Sequence, residues 1–339
     1  MAARTWRNSL LLTLTALIWG VAFVAQSEGS AYMGSSTFTG LRFLMAAAAL
    51  YPFIYIADRR RKAAGPPGQA GGDAVPGADR RVMPGSDRAS LWRAGFILGA
   101  LLCVASLLQQ EGIAQGASAG KAGFVTATYI VLVPILNLLI FRKKTNPLIW
   151  IGVAVALAGL YLLCIDKESL SLQLSDLLLI LCALGYSFQI LAIDRFSPRF
   201  DALKLSAIQF LSCGVLASIV MVFTDIRPVG LAAWGAAFTS WNAWIPLLYA
   251  AILSSAVGYT LQIIAQKGLN PTVASLLMSL ESVFAALAGW FILRQSLTPR
   301  ELLGCALVFA AVLLAQLAPT STKRPRHVRY CVPTRHRVR

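Results

Sequence analysis

Ten apolar stretches, each of about 20 residues, divide this chain into two sets of five, and the second set echoes the first. Nothing else in the sequence limits the fold as tightly. A helix of that length crosses the hydrocarbon core of a bilayer. Hydrocarbon offers no partner to an open backbone, so each stretch must be helical. The stretches read as 9–27, 37–56, 94–112, 121–141, 148–165, 174–193, 203–224, 244–265, 271–293 and 301–318. The expected fold is all-α, a polytopic membrane protein with ten transmembrane helices in two inverted five-helix repeats. An odd number of crossings per repeat makes the second repeat enter the membrane upside down.

The echo is carried by particular residues. Ile113-Ala114-Gln115 closes the third stretch and Ile264-Ala265-Gln266 the eighth. Pro147 opens the fifth with Gly152 after it, and Pro299 opens the tenth with Gly304 after it. Gly20 and Phe23 in the first match Gly185 and Phe188 in the sixth, and Arg42-Phe43-Leu44 matches Gln209-Phe210-Leu211. Single matches arise easily between Ala/Leu/Gly-rich helices, so the shared order is what counts. The first repeat runs 8–165, the second 174–318, and a basic tail fills 319–339.

Composition agrees with a membrane and excludes a sizeable soluble domain. Charged residues make up 13% of the chain, against about 25% in soluble domains, and mean hydropathy is +0.68. The net charge of +16 would suggest nucleic acid in a soluble protein, but its distribution points to the bilayer. With the N-terminus inside, 24 lysines and arginines fall on the cytoplasmic side and five on the outer side, with Arg42 inside a span. That bias puts both termini in the cytoplasm of a plasma (bacterial cell) membrane. Arg4 and Arg7 before the first stretch resemble a signal peptide. No small-x-small cleavage site follows, and the sixth stretch repeats the pattern. Five of the six cysteines lie in spans without metal-ligand spacing, so they read as small apolar residues.

Loop 57–93 begins Asp58-Arg59-Arg60-Arg61-Lys62 and continues through Gly, Pro and Ala, a composition expected to stay disordered. Trp234, Trp241 and Trp244 suit an aromatic belt at the outer interface. The tail from Lys323 reads as solvated and held near anionic headgroups.

The chemistry available to the spans is narrow. Both histidines, His327 and His336, lie in the tail, and there is no Walker lysine loop, so neither ATP, a metal nor another cofactor is expected. Glu281 sits near the middle of the ninth stretch, where an ionised carboxyl facing lipid is costly. Ala274, Met278, Ala285 and Ala288 form a small-residue seam beside it. Glu281 reads as a proton or substrate site, or as a structural tie to a neighbouring helix. Arg42 reads as an anion site or the partner of an acid, or as a structural or gating residue whose long side chain snorkels to the outer interface. Glu111 and Lys121 read as an exposed rim pair, and Asp176 suits a helix N-terminus.

Further polar residues mark the inner helices: Trp19, Gln26, Gln109, Gln110, Thr126, Tyr129, Tyr186, Gln189, Tyr259 and Gln262. The substrate-binding candidates are Trp19, Gln110, Tyr129, Tyr186, Tyr259, Gln262 and Glu281, with Glu281 and Arg42 for coupling or gating. A site lined by segments 1, 3, 4, 6, 8 and 9 follows, with segments 5 and 10 peripheral. Pro134 and Pro246 are expected to kink segments 4 and 8.

Ten helices in two halves, Trp19-Gly20, Arg42 and the paired Pro…Gly openings resemble the EamA family of the drug/metabolite transporter superfamily. The likeness covers about 8–318 and is strongest from Ala274 to Leu317, including Ser279-Leu280-Glu281-Ser282. It departs where the family often has Gly-Glu, since this chain has Phe141-Arg142 and Leu293-Arg294. The resemblance implies export or uptake of amino acids, metabolites or drugs. From residues and resemblance together, a secondary transporter working by alternating access is expected. Its partners would be a small-molecule solute, the lipid bilayer and protons as coupling ion. A homodimer is compatible with the pattern, and nucleic acid is not expected. The alternatives are a membrane enzyme acting on a lipid-linked substrate, which lacks a catalytic cluster, and a channel, which lacks a filter.

Overall fold

The computed structural model describes residues 2–63, 88–142, 145–164, 173–292 and 298–317. Every regular element among them is helical: α1 (Ala2–Ser30), α2 (Ser35–Ala63), α3 (Arg88–Ala114), α4 (Ala119–Ala127), α5 (Tyr129–Phe141), α6 (Pro147–Cys164), α7 (Leu174–Phe196), α8 (Ala202–Met221), α9 (Arg227–Val229), α10 (Leu231–Ala236), α11 (Trp241–Leu248), α12 (Thr260–Gln266), α13 (Pro271–Met278), α14 (Leu280–Ile292) and α15 (Pro299–Leu317). A π-helical run, Tyr249–Tyr259, joins α11 to α12. Among the described residues eight helical stretches are long and apolar enough to cross a membrane. The fifth and tenth expected spans are α6, with 18 residues, and α15, with 19.

The helix starts follow from side chains that accept the first free N–H groups. Ser118 accepts from the Lys121 N–H, Asp201 from Leu203 and Lys204, and Asn270 from Thr272. Asp176 accepts from the Gln173 N–H at 3.1 Å, so it does serve a helix N-terminus. Gly116 and Gly268 adopt φ of 96° and 86° in the turns before α4 and α13, a region where a side chain would strain the backbone.

The bundle inverts the usual soluble pattern. Leu10, Leu14 and Leu17 on α1, Phe53 on α2 and Leu313 on α15 face outward, while Gln26, Arg42, Gln110, Gln189, Gln209 and Glu281 are buried. Lipid is as apolar as leucine, so close packing and interhelical hydrogen bonds must hold the helices together. Small residues provide the approach. A Cβ on Gly159 of α6 would stand 2.7 Å from the Gly304 carbonyl of α15, and one on Gly214 of α8 would stand 2.8 Å from Leu44 of α2. α6 pairs with α15, α2 with α8, α3 with α7 and α8, and α1 with α14, α12 and the π-helical run.

Two segments are broken in the middle. Thr128 separates α4 from α5 with φ −60° and ψ −11°, and Ser279 separates α13 from α14 with φ −62° and ψ −14°. Each hydroxyl bonds the carbonyl three residues back, Thr128 to Val125 at 2.6 Å and Ser279 to Leu276 at 2.8 Å. Pro134 lies in α5, past the first break, and Pro246 lies in α11, just before the π-helical run. Both prolines therefore stand beside the irregularity rather than in it.

Three sequence expectations change. Residues 57–63 and 88–93 of the supposed loop are helical, continuing α2 and opening α3. The rest of that loop, the tail and Leu293-Arg294 fall outside the described residues. Lys121 pairs with Asp176 at 2.8 Å rather than with Glu111, which accepts from Gln115 instead. Of the three tryptophans Trp241 is exposed and the other two are half-buried. Trp234 donates to Thr37 Oγ1 and Trp244 to the Phe238 carbonyl.

Candidate functional site

A polar cavity lies inside the bundle, and helical spacing builds its walls. Trp19, Ala22, Phe23 and Gln26 follow one another on one face of α1, as do Tyr186, Gln189 and Ile190 on α7. Gln109 comes from α3, Thr126 from α4, Tyr129 from α5, and Arg42 from α2. Ser254 and Tyr259 project from the π-helical run, Gln262 from α12, Met278 from α13 and Glu281 from α14. The free space between these walls is about 30 Å³, room for about two waters. The walls come from segments 1, 3, 4, 6, 8 and 9, as polarity suggests, with α2 added.

One hydrogen-bonded chain runs along the wall. The Tyr259 hydroxyl donates to the Tyr186 oxygen at 3.1 Å, and the Tyr186 hydroxyl is 3.2 Å from both Gln109 Oε1 and Ser106 Oγ. Gln109 Nε2 donates to Thr126 Oγ1 at 3.3 Å. The acid and the base have separate partners. The Tyr129 hydroxyl donates to Glu281 Oε1 at 2.9 Å, while Arg42 Nη1 donates to Gln26 Oε1 at 3.1 Å. Trp19 closes one side, donating to the Ser254 carbonyl at 3.1 Å with its ring 4.7 Å from Tyr259. Gly258 makes this possible, because a Cβ there would meet Trp19 Nε1 at 2.7 Å.

The structure brings together Trp19, Arg42, Tyr129, Tyr186, Tyr259, Gln262 and Glu281 from the sequence candidates. It does not include Gln110. That side chain is buried behind the wall and donates to the Gln26 carbonyl at 3.1 Å, while Gln109 faces the cavity. Adjacent helical residues point about 100° apart, so only one of the two can face inward. Arg42 also departs from expectation. It is 2% exposed and does not snorkel, because α2 packs closely on α8 and the guanidinium lies 4.6 Å from the Phe43 ring. Gln26, Gln109, Thr126 and Gln189 were legible as polar residues in apolar spans. Ala22, Phe23, Ile190 and Met278 carry no such mark.

Comparison with known proteins fits this geometry. The model of the EamA-like transporter family matches the chain twice, over residues 6–165 and 173–317. An uncharacterized transporter of Archaeoglobus fulgidus is 26% identical over 306 residues, 90% of this chain and 84% of that protein. The threonine/homoserine exporter RhtA of Escherichia coli K12 is 38% identical over 98 residues, 29% of this chain and 32% of its own length. A solved crystal structure shares the fold with a TM-score of 0.69 at 16% identity, covering 92% of this chain and 99% of that one. The chain therefore belongs to the EamA family and is a multi-pass membrane transporter of the drug/metabolite type.

Proposed function

We propose that this protein carries a small polar metabolite, of amino-acid size, across the plasma membrane by alternating access. Two inverted repeats, 8–165 and 174–318, would rock about the cavity, with protons as coupling ion at Glu281. The observation that carries this reading is the cavity itself. It is polar, enclosed by an apolar bundle, and walled by both halves of the chain. The two matches to the family model support the repeat, as do the helix breaks at Thr128 and Ser279, which follow the register of the sequence echo. Broken helices beside a central site are a recurring device of secondary transporters. The relative named as a threonine/homoserine exporter makes L-threonine the first solute to try.

The test is made in proteoliposomes. An imposed pH gradient should concentrate labelled L-threonine or another small L-amino acid, and a protonophore should abolish that accumulation. Absence of both exchange and accumulation across a panel of amino acids would refute the proposal.

The proposed orientation has its own test. Gln115, in the turn between α3 and α4, should face outside, and Arg199, between α7 and α8, should face the cytoplasm. In a chain with its native cysteines replaced, cysteine at 115 should react with an impermeant thiol reagent on intact cells, and cysteine at 199 should not. The reverse labelling would invert the assigned topology.

A further inference from the structure

We infer that Arg42 anchors a carboxylate of the transported solute. The identity of the occupant rests on the transporter reading above, while the binding chemistry rests on the geometry of Arg42 alone.

The guanidinium is fixed on one side. Nη1 donates to Gln26 Oε1 at 3.1 Å. Gln26 is itself held, its Nε2 donating to the Ala22 carbonyl at 3.3 Å and its own carbonyl accepting from Gln110 Nε2 at 3.1 Å. The cation lies 4.6 Å from the Phe43 ring and 5.9 Å from the Phe38 ring. These contacts hold its plane, so little freedom is lost when a ligand binds.

The other edge is unpartnered. Arg42 Nε and Nη2 are buried and have no hydrogen-bond partner, although the whole residue is only 2% exposed. These two nitrogens share the edge of the guanidinium turned away from Cδ. Their N–H bonds run side by side at the spacing of the two oxygens of a carboxylate. A buried cation without an anion is strongly disfavoured, so an edge kept in this state needs a reason.

Among the described residues no acid supplies the anion. Among the described residues Arg42 makes no ion pair, and Glu281, which lines the same cavity, accepts from Tyr129 instead. A carboxylate suits the site better than a phosphate. Among the described residues lining the cavity Arg42 is the one basic residue, so it balances a single negative charge. Gln189 Nε2 and Gln262 Oε1, also buried and unpartnered, offer a donor and an acceptor to the rest of the solute.

The experiment compares acids with their amides. L-Threonine and a panel of other L-amino acids, each beside its own amide, are titrated onto the purified full-length protein, with thermal unfolding as the readout. At least one acid should stabilise the wild type, and its amide should bind at least about 30-fold more weakly. Arg42→Gln should weaken the acid by a similar factor and bind acid and amide alike. Arg42→Lys, which keeps the charge but loses the paired edge, should recover only part of the affinity. Should Arg42→Gln fail to fold, the acid–amide comparison on the wild type still decides. An amide that binds as well as its acid, an Arg42→Gln protein with wild-type affinity, or a panel with no binding acid would each overturn the inference. Counterflow on the wild type separates the two readings. Transport of a solute lacking a carboxylate keeps the transporter proposal and ends this one. Binding of acids without counterflow does the opposite.

Discussion

Replacing Glu281 by glutamine should abolish pH-driven accumulation while leaving solute exchange intact. The carboxyl is 4% exposed, two residues past the break at Ser279, and receives the Tyr129 hydroxyl at 2.9 Å. Glutamine keeps the shape, and its amide oxygen can accept the same hydrogen bond. It cannot gain or lose a proton. In the proposed cycle the proton is the link between gradient and solute, so removing it should uncouple transport without emptying the site. Glu281→Ala should do more damage. It leaves the buried Tyr129 hydroxyl without its acceptor, which costs about 1–3 kcal/mol. Proteoliposomes loaded for counterflow report exchange, and an imposed pH gradient reports coupling. If Glu281→Gln still concentrates solute at the wild-type rate and with the same pH dependence, Glu281 is a structural residue and coupling lies elsewhere.

Gly20→Ala should be as severe, for a steric reason. An added Cβ would stand 2.5 Å from Phe284 Cβ, 2.7 Å from the Ala285 nitrogen and 2.8 Å from the Glu281 carbonyl. Two of these are backbone atoms of α14, which cannot rotate away, so α1 and α14 must separate beside the cavity. Overpacking of this kind costs about 1–3 kcal/mol. The unfolding midpoint in detergent should fall, and transport should fall with it, because Trp19 and Glu281 flank the contact. Gly120→Ala is the control. Gly120 lies in α4 with nothing within 4 Å of an added Cβ, and alanine there is favoured by helix propensity by about 1 kcal/mol. Equal behaviour of the two variants would show that the α1–α14 contact is loose.

Much of this was written in the sequence because a membrane makes polarity expensive. A tyrosine, glutamine or glutamate inside an apolar span must find a partner inside the protein, so Tyr129, Tyr186, Tyr259, Gln262 and Glu281 announced the cavity without any motif. Where two equivalent residues adjoin, as at Gln109 and Gln110, composition could not choose between them, since the choice rests on helix phase. Arg42 misled for a related reason. A long cation near a helix end can reach the interface, and only the packing of α2 against α8 decides that it turns inward. The breaks at Thr128 and Ser279 left no signal either, because hydroxyl residues within ordinary membrane helices bond back to the preceding turn in the same way.

Those two breaks bear on how fast such a protein can work. A continuous helix transmits bending along its whole length, so tilting one end would drag the lipid-facing surface with it. A rod cut at one residue behaves as two levers on a pin. α5 can tilt without α4, and α14 without α13. Across the first pin run the Thr128-to-Val125, Val131-to-Thr128 and Leu132-to-Thr128 bonds, and across the second Ser279-to-Ser275 and Ser282-to-Ser279. The barrier to such a swing is then set locally, by a few hydrogen bonds of one turn and the side chains against them. Lipid composition should therefore alter the turnover of this protein less than that of a transporter whose moving helices are unbroken.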